Sequence, residues 1–147
     1  MKYLADLSEL QWRILATLEE AGLENLPALA TMVADSDAAP VDWSPMKRAL
    51  VGLIDLDQVR VSLDASHAGK IRTLKSGVQL SAIAKRGVRP WPMSKEESLT
   101  VLAEVDAELT ADPQYATGWI EILVTDEGGE TCERILDRRG YEWWRRR

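Results

Sequence analysis

The sequence predicts an α+β fold, in which several helices pack with a small antiparallel sheet. Two observations support this prediction. Apolar residues recur every three to four positions in segments that begin with helix-capping residues, and in other, shorter segments they alternate with polar residues. With 147 residues, the chain is long enough for one substantial hydrophobic core.

Two helices are predicted near the start of the chain. Ser8 and Gln11 have the spacing of a capping box, and the apolar residues after them predict a helix over residues 9–21. Asn25 is the expected start of a second, shorter helix. The polar residues 35–42 predict a loop that is longer than the turn usual in a helix-turn-helix.

A third helix and a strand are predicted next, over residues 44–56 and 58–63. Ser44 is the expected N-cap, and Pro45 suits the first helical position because its missing N–H would have no partner there. Apolar residues then form one stripe at helical spacing: Met46, Leu50, Leu53 and Ile54, with Leu56 as a candidate for its end. With two helices before it, this helix–strand pair has the pattern of the recognition helix and wing of a winged helix-turn-helix.

The second half of the chain predicts further elements of both kinds. Residues 71–83 predict a hairpin in the wing, and Ser94 begins a capping box that predicts a helix over residues 94–109. Residues 119–125 predict a strand, and Thr125 is the expected cap of a last helix.

The predicted fold is therefore a winged helix-turn-helix with a small antiparallel β-sheet and additional C-terminal helices. We divide the chain into a winged-helix core with a basic wing, residues 1–92, and a helix-strand-helix extension, residues 93–147. The extension is expected to pack on the core or on a second subunit.

Charge is distributed unevenly along the chain. The net charge is −6, but residues 47–95 hold ten basic and three acidic side chains, a net charge of +7. Phosphate binding depends on a local positive patch rather than on the total charge. The segment therefore favours a nucleic-acid-binding face, with an ordinary solvated surface as the alternative.

Two parts of the sequence resemble the winged-helix transcriptional regulators of bacteria, the broad group that includes the MarR-like and PadR-like families. The stretches L-S-E-L-Q-W-R-I-L-A-T-L, N-L-P-A-L-A-T-M-V-A and S-P-M-K-R-A-L-V-G-L-I-D-L-D-Q-V-R-V resemble their helices and first wing strand. The stretch W-I-E-I-L-V-T-D-E-G-G-E-T-C-E-R-I-L resembles their returning wing strand and the Thr-x-x-Gly start of the next helix.

The chain departs from that pattern between the two wing strands, where residues 64–118 intervene. One alternative is that the predicted hairpin and the helix after it are an insertion. The other is that the wing closes at residues 71–83 and the later match is fortuitous.

The resemblance implies a transcriptional regulator that binds duplex DNA through the helix over residues 44–56 and a basic wing. It also implies a homodimer formed through the helix over residues 94–109 and the C-terminal helix. The helix offers two basic residues and no Asn or Gln to read adenine, so the wing is expected to contribute as much as the helix. The implied DNA-binding residues are Ser44, Lys47, Arg48, Arg60, Lys70, Arg72 and Lys75.

A protein-interaction module without DNA binding is the alternative function, because the chain is acidic overall and its acidic end segments could meet a basic protein partner. Catalysis is not expected, and neither is a cofactor or a metal. The one histidine, His67, has no positioned partner, and Cys132 lies among apolar residues of a helix. A single cysteine, no secretory signal and no apolar run long enough to span a membrane predict a cytoplasmic protein.

Overall fold

The computed structural model describes residues 7–34, 39–63, 92–111 and 120–135, except for the side chains of Leu63 and Ile135. These residues form six helices and one three-stranded sheet, which confirms the predicted α+β class. In chain order the elements are α1 (Glu9–Ala21), β1 (Leu23–Asn25), α2 (Leu26–Met32), α3 (Trp43–Asp55), β2 (Val59–Leu63), α4 (Lys95–Glu104), α5 (Asp106–Ala111), β3 (Ile120–Val124) and α6 (Asp126–Ile135).

The first two helices begin where the sequence predicts. The Ser8 hydroxyl accepts a hydrogen bond from the Gln11 amide at 3.2 Å, and the Gln11 side chain accepts one from the Ser8 amide at 2.9 Å. Helix α1 ends at Gly22, whose positive φ of 77° suits a residue without a Cβ. The Asn25 side chain accepts from the Ala28 amide at 2.9 Å and caps α2.

The sheet is antiparallel, and its strand order is β1-β3-β2. Leu23 of β1 lies opposite Leu123, and Val61 of β2 lies opposite Ile122, so β3 is the central strand. The pairing makes residues 120–124 the strand that returns beside β2. The hairpin predicted over residues 71–83 lies outside the described residues.

One hydrophobic core joins the helices to the sheet. Four residues of the stripe predicted for the third helix are fully buried: Met46, Leu50, Leu53 and Ile54. Leu56, the candidate for its end, lies just after the helix and is half-buried. Val101 and Leu102 of α4 and Leu109 of α5 are also fully buried. Described residues on both sides of position 92 therefore contribute to the same core. The division of the chain at that position stays a prediction.

The start of α3 corrects the prediction that Ser44 is its N-cap. Asp42 has the extended backbone of the capping residue, and Ser44 lies within the first turn, where its hydroxyl accepts a hydrogen bond from Arg48 Nη1 at 3.1 Å. The first turn starts earlier because Trp43 is packed into the core and is only 5% exposed. Pro45 is still tolerated there, since amides of a first turn have no partner within the helix.

The helix predicted over residues 94–109 is divided into α4 and α5 at Val105. Its start is as predicted, because Ser94 and Glu97 form a capping box. The division places Asp106 at the first position of α5, where its carboxylate accepts a hydrogen bond from the indole N–H of Trp43.

The residues that begin α4 cover the outer edge of β2. The Ser98 hydroxyl accepts a hydrogen bond from the Val61 amide at 3.0 Å, and the Met93 amide donates to the Val61 carbonyl at 2.9 Å. Because β3 pairs only with the other side of β2, these two bonds satisfy backbone groups that an edge strand would otherwise leave open.

The turn between α3 and β2 is held by the start of α6. Thr125 caps α6 as predicted, because its hydroxyl accepts from the Gly128 amide at 3.0 Å. The same hydroxyl donates to the carbonyls of the turn, 2.6 Å from the Asp57 oxygen and 3.0 Å from the Gln58 oxygen. The turn itself contains Asp57 in a left-handed conformation, with φ of 60°.

Gly128 allows this close approach of α6 to the turn. A Cβ at Gly128 would lie 2.8 Å from Val124 Cγ2 and closer still to the Gln58 carbonyl oxygen. A Cβ at the neighbouring Gly129 would meet only the Glu19 carboxylate, at 3.1 Å, which is the far end of a flexible side chain.

We expect Gly128→Ala to lower the free energy of unfolding by about 2–3 kcal/mol or more, because the backbone of the turn must move to admit the methyl group. Gly129→Ala is the matched control, and we expect it to change stability by less than about 1 kcal/mol in either direction. Chemical denaturation followed by circular dichroism measures both. Equal effects of the two substitutions would contradict the close approach at Gly128.

Candidate nucleic-acid interface

Helix α3 buries one side in the core and leaves a narrow row of residues exposed on the other. Ser44, Arg48 and Asp55 are exposed, and Val51 is half-buried between them. These positions follow helical spacing, so they lie along one face of α3. The row contains one cation near the N-terminal end of the helix and one carboxylate at the C-terminal end.

Gln11 of α1 fixes the position of α3. Its side-chain Nε2 donates to the Ala49 carbonyl at 3.2 Å, and Gly52 leaves the space for it, because a Cβ there would lie 2.6 Å from Nε2. An open groove of about 370 Å³ runs between the start of α1 and α3. Its lining includes Pro45 and Arg48, so the predicted helix face continues into a shallow depression.

Ser44 and Arg48, two of the residues predicted to bind DNA, are brought together on the exposed row. The Arg48 guanidinium is bonded to the Ser44 hydroxyl rather than to a carboxylate. A guanidinium has five N–H donors, so others can bind a phosphate while this bond is kept.

Lys47 is directed to a carboxylate of the same chain. Its ammonium lies 3.0 Å from Asp106 Oδ1, and the same oxygen accepts the indole N–H of Trp43 at 2.7 Å. The hydrogen bond from Trp43, followed by the bond and charge of Lys47, lowers the pKa of the Asp106 carboxyl below its ordinary value. The side chains of Lys47 and Asp106 are 36% and 38% exposed, so solvent still reaches the pair.

Arg60, the predicted DNA-binding residue of β2, also has partners within the chain. Its Nη2 lies 2.7 Å from Asp57 Oδ1, and its Nη1 donates to the Val59 carbonyl at 2.9 Å. The Arg60 side chain is mostly buried by these contacts. It therefore holds the turn before β2 in place, and its charge is largely balanced by Asp57.

The remaining predicted DNA-binding residues, Lys70, Arg72 and Lys75, lie outside the described residues. The residues before and after this part of the chain are described. Strand β2 ends at Leu63, directly before residues 64–91, and Met93, two positions after them, donates its amide to Val61 of the same strand. We call residues 64–91 the basic segment, because they contain six basic residues and one acidic residue, a net charge of +5.

Sequence reasoning missed the residues that balance or position the basic groups of α3 and β2. Asp106 is 63 positions from its Trp43 partner, and no local pattern connects them. Gln11 was identified only as part of a capping box, whereas it also holds α3. Asp57 was within reach of prediction, since an acidic residue three positions before Arg60 in a turn can pair with it.

Comparison of the chain with protein-family models, with curated proteins and with solved structures found no significant match in any of the three.

Other chemistry is limited within the part of the chain that the structure describes. No group of three or more histidine, cysteine, aspartate or glutamate side chains is placed to hold a metal ion there. No helix among those residues is long and apolar enough to cross a membrane. His67 lies outside the described residues.

Cys132 of α6 is fully buried. Burial, together with the nearby Glu19 and Glu133 carboxylates, raises the pKa of its thiol to about 12. Since the thiolate is the reactive form, the native protein should contain an inert thiol at neutral pH.

We expect iodoacetamide to leave Cys132 unmodified in the native protein near neutral pH and to alkylate it fully after unfolding in guanidinium chloride. Mass spectrometry of the intact protein measures the extent of modification. Alkylation of the native protein at the rate of a free thiol would contradict both the burial and the raised pKa.

Proposed function

We propose that this chain is a winged-helix DNA-binding protein that regulates transcription, with α3 as its recognition helix and the basic segment as its wing. The observation that carries the proposal is the order of the elements. Helices α1, α2 and α3 precede β2, and β3 returns antiparallel beside β2. In a winged helix, the wing leaves the strand that follows the recognition helix, and in this sequence the basic segment directly follows β2.

Charge placement supports DNA as the partner. The basic segment lies in the sequence between Leu63, the last residue of β2, and Met93, whose amide is bonded to Val61. Its net charge of +5 is therefore joined to the strand that directly follows α3. Arg48 is exposed on α3 itself. Together they would provide cations that bind phosphates on either side of a DNA groove.

Binding through phosphates is expected to outweigh the reading of bases. Helix α3 contains no Asn or Gln, and its exposed row includes Asp55, which a DNA groove would repel. Affinity should therefore fall steeply as salt is added and should depend weakly on the sequence of the duplex.

The combined substitution of Lys70, Arg72 and Lys75 by alanine should weaken binding to duplex DNA and flatten its salt dependence. For every phosphate that the protein no longer neutralises, the slope of log affinity against log salt becomes shallower by about 0.9. Fluorescence anisotropy of a labelled duplex, titrated at several salt concentrations, measures affinity and slope together.

A second variant, Arg48→Ala, tests the contribution of α3 in the same assay. We expect a slope change equivalent to about one phosphate for Arg48→Ala. For the variant with alanine at positions 70, 72 and 75, we expect a change equivalent to about two or three phosphates. Unchanged affinity and slope in both variants would contradict DNA binding through this surface.

A winged-helix protein-interaction module is the second candidate function. This function is favoured because Lys47 and Arg60 are each paired with a carboxylate of the same chain. Wild-type protein that fails to bind duplex DNA even at low salt, and that co-purifies with one protein in a fixed ratio, would support this function over DNA binding.

A further inference from the structure

The Lys47 ammonium and the Trp43 indole N–H converge on one point beside the N-terminal half of α3. They are four positions apart on the helix, so both project from the same face. The atom at that point is Asp106 Oδ1, which is 2.7 Å from the indole nitrogen and 3.0 Å from the ammonium nitrogen. An anionic oxygen is thus held by one charged and one neutral donor.

The same two donors suit a phosphate oxygen of DNA. Phosphates in protein–DNA complexes are bound by lysine ammonium groups and by neutral N–H donors, and the N-terminal end of a helix favours a negative charge. Asp106 supplies that negative charge from within the chain. The Lys47 and Asp106 side chains are 36% and 38% exposed, so an anion from solution can reach the ammonium. Trp43 is only 5% exposed, so its indole N–H can meet that anion only after Asp106 has moved away.

Asp106 is carried by an element separate from the helix that it contacts. It is the first residue of α5, and α5 is anchored in the core by the fully buried Leu109. The carboxylate that contacts α3 therefore belongs to a helix that follows the basic segment in the sequence.

We propose that Lys47 and Trp43 form a phosphate-binding site for the DNA backbone, and that Asp106 occupies this site in the free protein and competes with the phosphate. The inference rests on the proposed function, because the phosphate is that of bound DNA. It assigns Lys47 a contact that forms only when Asp106 is displaced, and it makes Asp106 a restraint on DNA affinity.

The substitution Asp106→Asn tests the competition with little change of shape. An asparagine side chain can still accept the Trp43 hydrogen bond, but it has no charge to hold Lys47. We expect DNA affinity at low salt to rise about fivefold, and the slope of log affinity against log salt to steepen by about 0.9, which corresponds to one more neutralised phosphate.

Asp55→Asn is the matched control, since it removes one negative charge from the exposed row of the same helix. Its affinity gain should be smaller than that of Asp106→Asn, without a steeper salt slope. Thermal unfolding of each variant, followed by circular dichroism, confirms that the compared proteins are folded.

Lys47→Ala, made alone and together with Asp106→Asn, provides a test that does not depend on a gain in affinity. Loss of Lys47 should cost more DNA affinity in the Asp106→Asn background than in the wild type, because the lysine reaches a phosphate only when the carboxylate is gone. Equal costs in the two backgrounds would overturn the proposal.

The outcomes separate this inference from the function on which it rests. Wild-type binding to DNA with no greater gain for Asp106→Asn than for Asp55→Asn overturns the competition alone. Absence of binding by the wild type and by Asp106→Asn at low salt overturns both the competition and DNA binding.

Discussion

The fold depends on the contact between the start of α6 and the turn that joins α3 to β2. Thr125 donates to the carbonyls of Asp57 and Gln58, and Gly128 leaves the room that those carbonyls need. Because Thr125 directly follows β3, this contact sets where β3 lies beside β2. It thereby couples the orientation of α3 to the centre of the sheet.

A consequence of this coupling is that α3 is held from both sides. Gln11 of α1 donates to the carbonyl of the buried Ala49 in α3, and the turn after α3 is bonded to the start of α6. A helix held in this way has little freedom to change its angle, so a ligand would meet a preformed surface. Rigid presentation lowers the ordering cost of binding.

Local signals allowed much of the fold to be predicted from the sequence. The capping side chains of Ser8, Asn25, Ser94 and Thr125 act within four residues of themselves, so the sequence is sufficient to locate them. The buried stripe of α3 follows from its spacing alone. Strand β1 was missed because three residues are too few to show an alternating pattern.

The candidate site was harder to predict, because its electrostatics depend on contacts between distant residues. Arg48 is exposed as its position on α3 suggests, but the partner of Lys47 comes from α5. Ser44 was misplaced as a cap because the core packing of Trp43, a tertiary effect, starts the helix earlier. Sequence reasoning identifies which side chains carry charge, whereas the fold decides which charges remain available.

The return of the chain to β2 at Met93 has a consequence for how this protein can evolve. The Met93 amide and the Ser98 hydroxyl are both bonded to Val61, so the chain is back beside β2 30 residues after Leu63, the last residue of that strand. The entropy lost on bringing two points of a chain together grows only with the logarithm of the number of residues between them, by about 0.6 kcal/mol for each doubling. A longer or shorter connection between Leu63 and Met93 would therefore change this entropic cost little, so the connection can vary in length and charge at small cost to closure.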